Sequence, residues 1–281
     1  MGRKPDVCTM GGAIIRRFAL FPLMLLMLLL LPAGMVAQKA ASSSKYIATY
    51  ESSTQTLTFK EYAGETLPEN SAWVEDKQTV AAINNNIGNG TIVHIVFDKS
   101  FSTYTPTSLH SFFYYLTKLE TITGLEYLNT AKVTDMSYMF ANCVALTSLD
   151  VTNFNTAKVT NMERMFIGCS ALLSLDVTNF NTAKVTDMSY MFANCVALTS
   201  LYLTNFNTAK VTNMERMFSF CKVLTTIYAS SKFVTTQVSN SSGMFNKCEK
   251  LKGEVVWKKD KATDKTYAKI EGGYFSGRIP G

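Results

Sequence analysis

The chain is poor in the residues that carry most enzyme chemistry. Only two histidines, His94 and His110, occur in 281 residues. There is no Gly-x-Ser-x-Gly turn and no glycine-rich phosphate loop, and no carboxylate pair stands out from scattered Asp and Glu. The usual hydrolase and nucleotide-dependent signatures are therefore missing. The chain reads as non-enzymatic, with no cofactor. Cys-x-x-Cys pairs are absent and both histidines lie outside the regular part of the sequence, so no metal is expected. Charge is also scarce. Charged side chains make up 17% of the chain, with a formal balance of +6. Residues 1–37 hold four of the 27 basic and one of the 21 acidic residues, so the remainder carries 23 against 20, a net +3. Such a balance gives no footprint for nucleic acid.

A membrane-spanning run is lacking too. The longest apolar stretch, residues 18–31, is interrupted by Pro22, and a span needs about 20 residues. Arg3, Lys4, Arg16 and Arg17 precede it, and Pro32-Ala-Gly-Met-Val-Ala37 follows. A basic region, a short apolar core and a small residue before the cut make a secretory signal. Cleavage is expected after Ala37, leaving no stable membrane span. A transmembrane anchor is the competing reading of this run, disfavoured by its length. Either Met1 or Met10 could start the chain, since all that the signal needs follows Met10. No cysteine sits just after the apolar core, which argues against a lipid anchor. No cell-wall sorting motif and no C-terminal span are seen. The expected location is the cell surface or the medium.

Even-numbered, unevenly spaced cysteines, the mark of a disulfide framework, are missing as well. Five cysteines remain after residue 37, and four of them, Cys143, Cys169, Cys195 and Cys221, stand 26 residues apart, with Cys248 one residue late. One cysteine per repeat at constant phase reads as a small buried apolar residue.

What the sequence does have is repetition. Met139-Phe140, Met165-Phe166, Met191-Phe192 and Met217-Phe218 travel with the cysteines. The phrase Asn-Thr-Ala-Lys-Val-Thr begins at Asn129, Asn155, Asn181 and Asn207. A fixed period of this length means stacked units that bury their apolar faces only against their neighbours. Residues 129–149 and 181–201 are identical over 21 positions. Alternate repeats therefore carry Asp-Met-Ser-Tyr and Asn-Met-Glu-Arg versions, as duplication of a two-repeat block would leave them. Such a surface grows by units, which suits interaction rather than catalysis.

One unit, residues 146–171, illustrates the expected local structure. Leu149 and Val151 alternate with Ser148, Asp150 and Thr152, a strand period. Asn153 and Asn155 flank Phe154 in a turn-prone stretch. Thr160 with Glu163, and Thr212 with Glu215, fit a helix capping box. Val159, Met162, Met165, Phe166 and Cys169 then fall at i, i+3, i+6, i+7 and i+10, one stripe of a short helix. The fold expected is an α/β solenoid. It is a leucine-rich-repeat-like, right-handed stack of strand–loop–short helix units, with strands about 4.8 Å apart in a parallel sheet. Columns of Cys143, Cys169, Cys195, Cys221 and Cys248, and of Phe140, Phe166, Phe192 and Phe218, are expected inside it.

The phrase V-T-[DN]-M-x-x-M-F-x-x-C-x-x-L-x-x-L-x-V-x-x-F-[ND]-T resembles the BspA-like leucine-rich repeat surface proteins, whose 26-residue unit is also seen in mycoplasma surface lipoproteins. The resemblance covers residues 92–275, about two-thirds of the chain. It implies a surface or secreted bacterial protein that adheres to host extracellular-matrix or plasma proteins, such as fibronectin and fibrinogen, or to glycans. It also implies coaggregation and stimulation of innate receptors.

Four segments follow. Residues 1–37 are the signal. Residues 38–91 form an N-terminal cap with a β-hairpin from Tyr46-Ile-Ala-Thr-Tyr50 and Thr56-Leu-Thr-Phe59, a short helix over 81–87, and Trp73 packed beneath. Residues 92–250 make about six solenoid turns, and residues 251–281 a basic C-terminal cap with two short strands over 253–257 and 272–275. The solvent side of the sheet carries Ser and Thr hydroxyls and turns aromatic toward the C-terminus. There Asp150, Asp176, Tyr202 and Tyr228 are the candidate ligand-binding residues, exposed Tyr being a favoured contact residue. A second recurring column, Lys132, Lys158, Lys184 and Lys210, reads as solvated charge. The Asn153/Asn179/Asn205 and Asn155/Asn181/Asn207 columns are expected to bond along the stack. The competing reading is a passive surface coat or immune decoy without a fixed ligand, and an unrecognised enzyme is a third, weaker one.

Overall fold

Alternating apolar and polar residues build the first layer. The computed structural model describes residues 46–87, 90–260 and 263–277. All of these lie in one compact unit, residues 43–281; the other unit, residues 1–42, contains the expected signal and lies outside the described residues. Strands β1 (Tyr46–Glu51) and β2 (Thr56–Glu61) form an antiparallel hairpin that buries Ile47, Ala48, Leu57 and Phe59, and β3 (Ser71–Trp73) pairs antiparallel on the far side of β1. Trp73, on that edge, is half-buried beside Tyr62. Helix α1 (Val80–Asn86) follows, capped by the Thr79 side chain, which accepts from the Ala82 amide.

The hairpin does more than shield the stack. Strand β2 pairs parallel with β4 (His94–Phe97), and β4 pairs parallel with β5 (Thr121–Thr123). The sheet order is β3-β1-β2-β4-β5. Because β2 occupies the place of a repeat strand, the cap closes the open edge by ordinary ladder bonds.

A second sheet lies toward the C-terminus. Strands β6 (Ser200–Leu203), β7 (Thr226–Ala229) and β8 (Phe275–Ser276) pair parallel, with Tyr202 opposite Tyr228 and Tyr228 opposite Ser276. Of the two strands expected in the C-terminal cap, only β8 forms; the other is reduced to an antiparallel bridge between Lys252 and Val256.

The continuous parallel sheet expected through the repeats is interrupted, since residues 146–152 and 172–178 form no strand. Leu175, Val151 and Val177 still turn inward, so the alternation holds. The ladder fails for a local reason. Asp150 Oδ1 accepts from the Thr152 amide at 3.0 Å and its hydroxyl at 2.6 Å, and Asp176 does the same with Thr178 at 2.9 and 2.6 Å. Such side-chain bonds compete with strand pairing for backbone donors. At the same position β6 and β7 carry Tyr202 and Tyr228, which make no such turn, and there the ladder closes.

The helix expected over 159–169, with its capping boxes, is not formed. In its place the chain makes successive tight turns. In the repeat containing Cys143, the amides of Met139, Ala141 and Cys143 bond to carbonyls three residues back. The intervening amides of Met136, Tyr138, Phe140 and Asn142 leave the repeat and bond to Asn161, Glu163, Met165 and Ile167 of the next, at 2.7–3.1 Å. The pattern recurs at each junction through Phe220 to Asn246. An α-helix directs those amides inward to its own carbonyls; a stacked neighbour offers an equivalent set. Left-handed backbone makes the turns. Tyr138, Arg164, Tyr190, Arg216 and Gly243 have φ of 49 to 62°, and Asn142, Gly168, Asn194, Phe220 and Lys247 have φ of 60 to 71°. Thr160 caps nothing; its hydroxyl donates to the Thr134 carbonyl at 3.2 Å.

Single parallel bridges join Ser108, Asp135, Asn161, Asp187, Asn213 and Asn240, a rung per repeat. Between this turn column and the sheet side runs a stacked column of Phe113, Phe140, Phe166, Phe192, Phe218 and Phe245. Its centroids are 5.0 to 5.9 Å apart and its planes within 15°. All six rings are fully buried.

Candidate ligand-binding face

Two kinds of surface recur on the stack, one on the sheet side and one on the turn side. On the sheet side, Tyr202 and Tyr228 stack with centroids 4.7 Å apart and 18° between planes, both half-buried. Each ring lines a separate hollow. The hollow at Tyr202, about 340 Å³, is formed with Ser174, Leu175, Asp176, Thr178 and Ser200. The hollow at Tyr228, about 580 Å³, is formed with Lys252, Glu254, Ile270 and residues of β8. The inner ring faces cover each other, so each outer face is turned to a hollow. Asp150 and Asp176 are exposed on this same face. The bonds from Thr152 hold the Asp150 carboxyl below the ordinary carboxylate range. The structure thus brings Asp176 and Tyr202 into one hollow and sets Tyr228 against Tyr202, while Asp150 lies one repeat further along.

The turn side carries a column that follows from the alternating repeats. Tyr138, Arg164, Tyr190 and Arg216 succeed one another along the stack. The Arg164 guanidinium lies 5.2 Å from the Tyr138 ring centre and 4.4 Å from that of Tyr190, and Arg216 lies 5.7 Å from Tyr190. Arg164 also bonds to the Tyr138 hydroxyl and pairs with Glu163. The Tyr190 hydroxyl donates to Glu215 Oε1 at 2.7 Å, and Asn240 donates to Glu215 Oε2 at 3.0 Å. These bonds push the Tyr190 hydroxyl's pKa up and hold the Glu215 carboxyl down. The sequence carries this column as the alternation of Tyr and Arg at a spacing of 26 residues.

The cysteines stand in one buried file. Cys143, Cys169, Cys195, Cys221 and Cys248 are free thiols with no exposed surface. Each Sγ donates to a phenylalanine carbonyl of the preceding repeat, from Cys143 to Phe113 at 3.2 Å through Cys248 to Phe218 at 2.9 Å. Burial pushes the thiols of Cys143 and Cys221 up to about 12.

Buried threonines, unremarked in the sequence, hold successive repeats together. The hydroxyls of Thr130, Thr156 and Thr182 each accept from the amide of the next Asn-Thr-Ala asparagine at 2.7–2.8 Å and donate to its carbonyl at 2.9–3.3 Å. The asparagine columns divide. Asn179 and Asn205 reach back along the stack to the carbonyls of Thr152 and Thr178 at 2.9 and 2.7 Å. Asn155, Asn181 and Asn207 instead accept from the amide two residues on, closing turns within their own repeat. The lysine column, Lys132, Lys158, Lys184 and Lys210, is exposed.

His94 Nδ1 lies 2.8 Å from Thr121 Oγ1, and His110 Nδ1 lies 2.7 Å from Ser137 Oγ, which donates to Asp135. Ser189 and Asp187 make the same bond without a histidine, and the two histidine contacts, each spanning 27 residues, are rungs between repeats. Among the described residues, no group of three His, Cys, Asp or Glu could hold a metal ion. Nor is any helix there long and apolar enough to cross a membrane.

A stack of repeats with interlocking rungs and an exposed ribbed face defines a repeat protein. The model of the family described as Mycoplasma protein of unknown function, DUF285, matches residues 91–200 and 167–273, and the chain belongs to that family. No curated protein is significantly similar to it. Among solved structures it is similar to the leucine rich repeat protein of T. pallidum (TpLRR), at 15% identity, over 72% of this chain and 86% of that one, with a TM-score of 0.36.

Proposed function

We propose that the protein is a non-enzymatic, exported bacterial binding protein of adhesin type, which holds a host protein or glycan on the face bearing Tyr202 and Tyr228. The observation that carries this reading is the stacked tyrosine pair with a hollow on each side. Aromatic rings held rigid by their neighbours lose little entropy on binding and dominate many interfaces. The resemblance to BspA-like surface proteins supports the partner class, host extracellular-matrix or plasma proteins or glycans. The signal expected over residues 1–37 supports export to the cell surface or medium.

The full chain is tested on panels of matrix proteins, plasma proteins and glycans, beside a variant combining Tyr202→Ala and Tyr228→Ala. Binding that falls about tenfold or more in the variant is expected. Unchanged binding would overturn the assignment to this face. The duplicated block over 129–149 and 181–201 favours a second reading, a passive coat or immune decoy; it requires that no partner be retained on any panel.

A further inference from the structure

On the turn side of this stack a guanidinium fills the gap between two tyrosine rings, and on the sheet side a hollow beside the Tyr202 ring stays open. On the turn side the slot between Tyr138 and Tyr190 is occupied by the Arg164 guanidinium, which stacks on both rings and pairs with Glu163. On the sheet side the repeat before Tyr202 presents Asp176, too short to cover the tyrosine ring, and a hollow of about 340 Å³ remains. Its lining has no lysine or arginine. Asp176 Oδ1 is held by Thr178, so the carboxylate is fixed in direction, and among the described residues no hydrogen bond reaches Oδ2. Ser174 and Ser200 add hydroxyls at the rim.

We infer that the hollow at Tyr202 and Asp176 takes an arginine side chain of a partner polypeptide, its guanidinium stacked on the outer face of Tyr202 and paired with the Asp176 carboxylate. This rests on the sheet-face reading proposed above and names the chemistry that face recognises. The chain's own packing supplies a precedent for the contact, since the Arg164 guanidinium lies over the Tyr138 and Tyr190 rings. A guanidinium suits the slot because it is planar and stacks, is weakly hydrated, and presents several donors to one carboxylate. An ammonium offers a point charge without the plane. The net charge of +3 beyond residue 37 is positive and does not attract a basic peptide at long range, so binding must come from the local pair.

The test is fluorescence anisotropy of a labelled peptide of alternating Arg and Gly against the full chain at near-physiological salt. A Lys/Gly peptide of equal length and a panel of neutral oligosaccharides serve as competitors. Asp176→Asn keeps an oxygen for Thr178, so the turn and the fold survive while the charge is lost. Expected is a loss of about tenfold in Arg-peptide affinity for Asp176→Asn and for Tyr202→Leu. The Lys peptide should bind several-fold more weakly, and Glu69→Gln, on the distant hairpin cap, should change nothing. Equal binding of both peptides, or Arg-peptide binding indifferent to Asp176→Asn, overturns the inference. An oligosaccharide that binds through Tyr202 and ignores Asp176→Asn also overturns it while leaving the sheet-face reading intact. Failure of every probe to depend on Tyr202 or Tyr228 removes both.

Discussion

Thr156 holds both backbone polar groups of Asn181, one repeat further on. Its hydroxyl accepts the Asn181 amide at 2.7 Å and donates to the Asn181 carbonyl at 3.1 Å, with only 1% of Thr156 exposed. Thr130 and Thr182 make the same pair of bonds one repeat either way. A repeat protein lives on nearest-neighbour contacts, and this clip satisfies a donor and an acceptor at once with one small side chain. Thr156→Val keeps the shape and deletes the hydroxyl. Leaving the Asn181 amide and carbonyl without it should cost about 2 kcal/mol, read as a lower urea midpoint at unchanged slope. Thr156→Ser should retain most of the stability. A valine variant as stable as the parent would show that the clip contributes nothing.

The contrast between Asp176 and Tyr202 explains where the sheet stops. Asp176 spends its carboxylate on the amide and hydroxyl of Thr178, and no strand forms there; Tyr202 makes no such turn and pairs with β7. Asp176→Tyr should therefore add a strand to the edge of β6, with its ring stacked on Tyr202. Cross-strand aromatic pairs are worth about 0.5–1 kcal/mol. Hydrogen exchange in residues 174–178 should slow and the melting temperature rise. The same ring fills the hollow of about 340 Å³ and should abolish Arg-peptide binding. Exchange in this stretch as fast as in the parent would show that the carboxylate is not what breaks the ladder.

Much of the inside of the molecule was legible, because burial follows spacing. Cys143, Phe140, Met136 and the residues in phase with them through Cys221, Phe218 and Met214 are buried, as their constant phase implies. The backbone path through them was not. Val159, Met162, Met165, Phe166 and Cys169 are spaced as on a helix, yet a succession of four-residue turns buries the same set. The two differ in where alternate amides go, and the Arg164 and Gly168 amides go to Ser189 and Ala193, outside the window any local pattern covers. Capping logic failed similarly. Thr160 and Glu163 have the spacing of a capping box, but Asn161 accepts from the Glu163 amide at 2.9 Å, and Thr160 bonds back to Thr134. On the surface, the Tyr138/Arg164/Tyr190/Arg216 column was written in the alternation of Asp-Met-Ser-Tyr with Asn-Met-Glu-Arg. What hid it was positive φ at all four positions, 49 to 58°, which swings residues of a supposed helix into a stacked column.

The thiol file should be chemically silent in the folded chain. A thiolate is the reactive form, and burial raises Cys143 and Cys221 to about 12 and Cys169, Cys195 and Cys248 well above their ordinary value. Titration with a thiol reagent at neutral pH should leave these five unmodified in buffer and expose all of them in strong denaturant, without prior reduction. Fast labelling of any one in the native state, located by peptide mapping, would contradict the buried column. Cys195→Ala should cost about 1 kcal/mol through the small cavity and the lost bond to the Phe166 carbonyl, and Cys195→Val should cost as much through overpacking.

The Tyr190–Glu215 bond gives the turn column a stability window with two edges. Glu215 is held below its ordinary 4.5 chiefly by the Tyr190 hydroxyl, so its contribution is present above that pH and fades as pH falls through the depressed folded value. Tyr190 is raised above its ordinary 10.0 chiefly by the same bond, so its contribution is present below that pH and fades as pH rises through the elevated folded value. The pair therefore stabilises the stack on the whole plateau between. Tyr190→Phe deletes the bond and keeps the ring against Arg164. The difference in melting temperature between parent and variant should be constant from about pH 6 to pH 9 and shrink at both extremes. Glu215→Gln should flatten the acid edge alone, because the amide oxygen still accepts from Tyr190 but does not titrate. A difference that does not vary with pH would mean the Tyr190 hydroxyl and Glu215 are not coupled in solution.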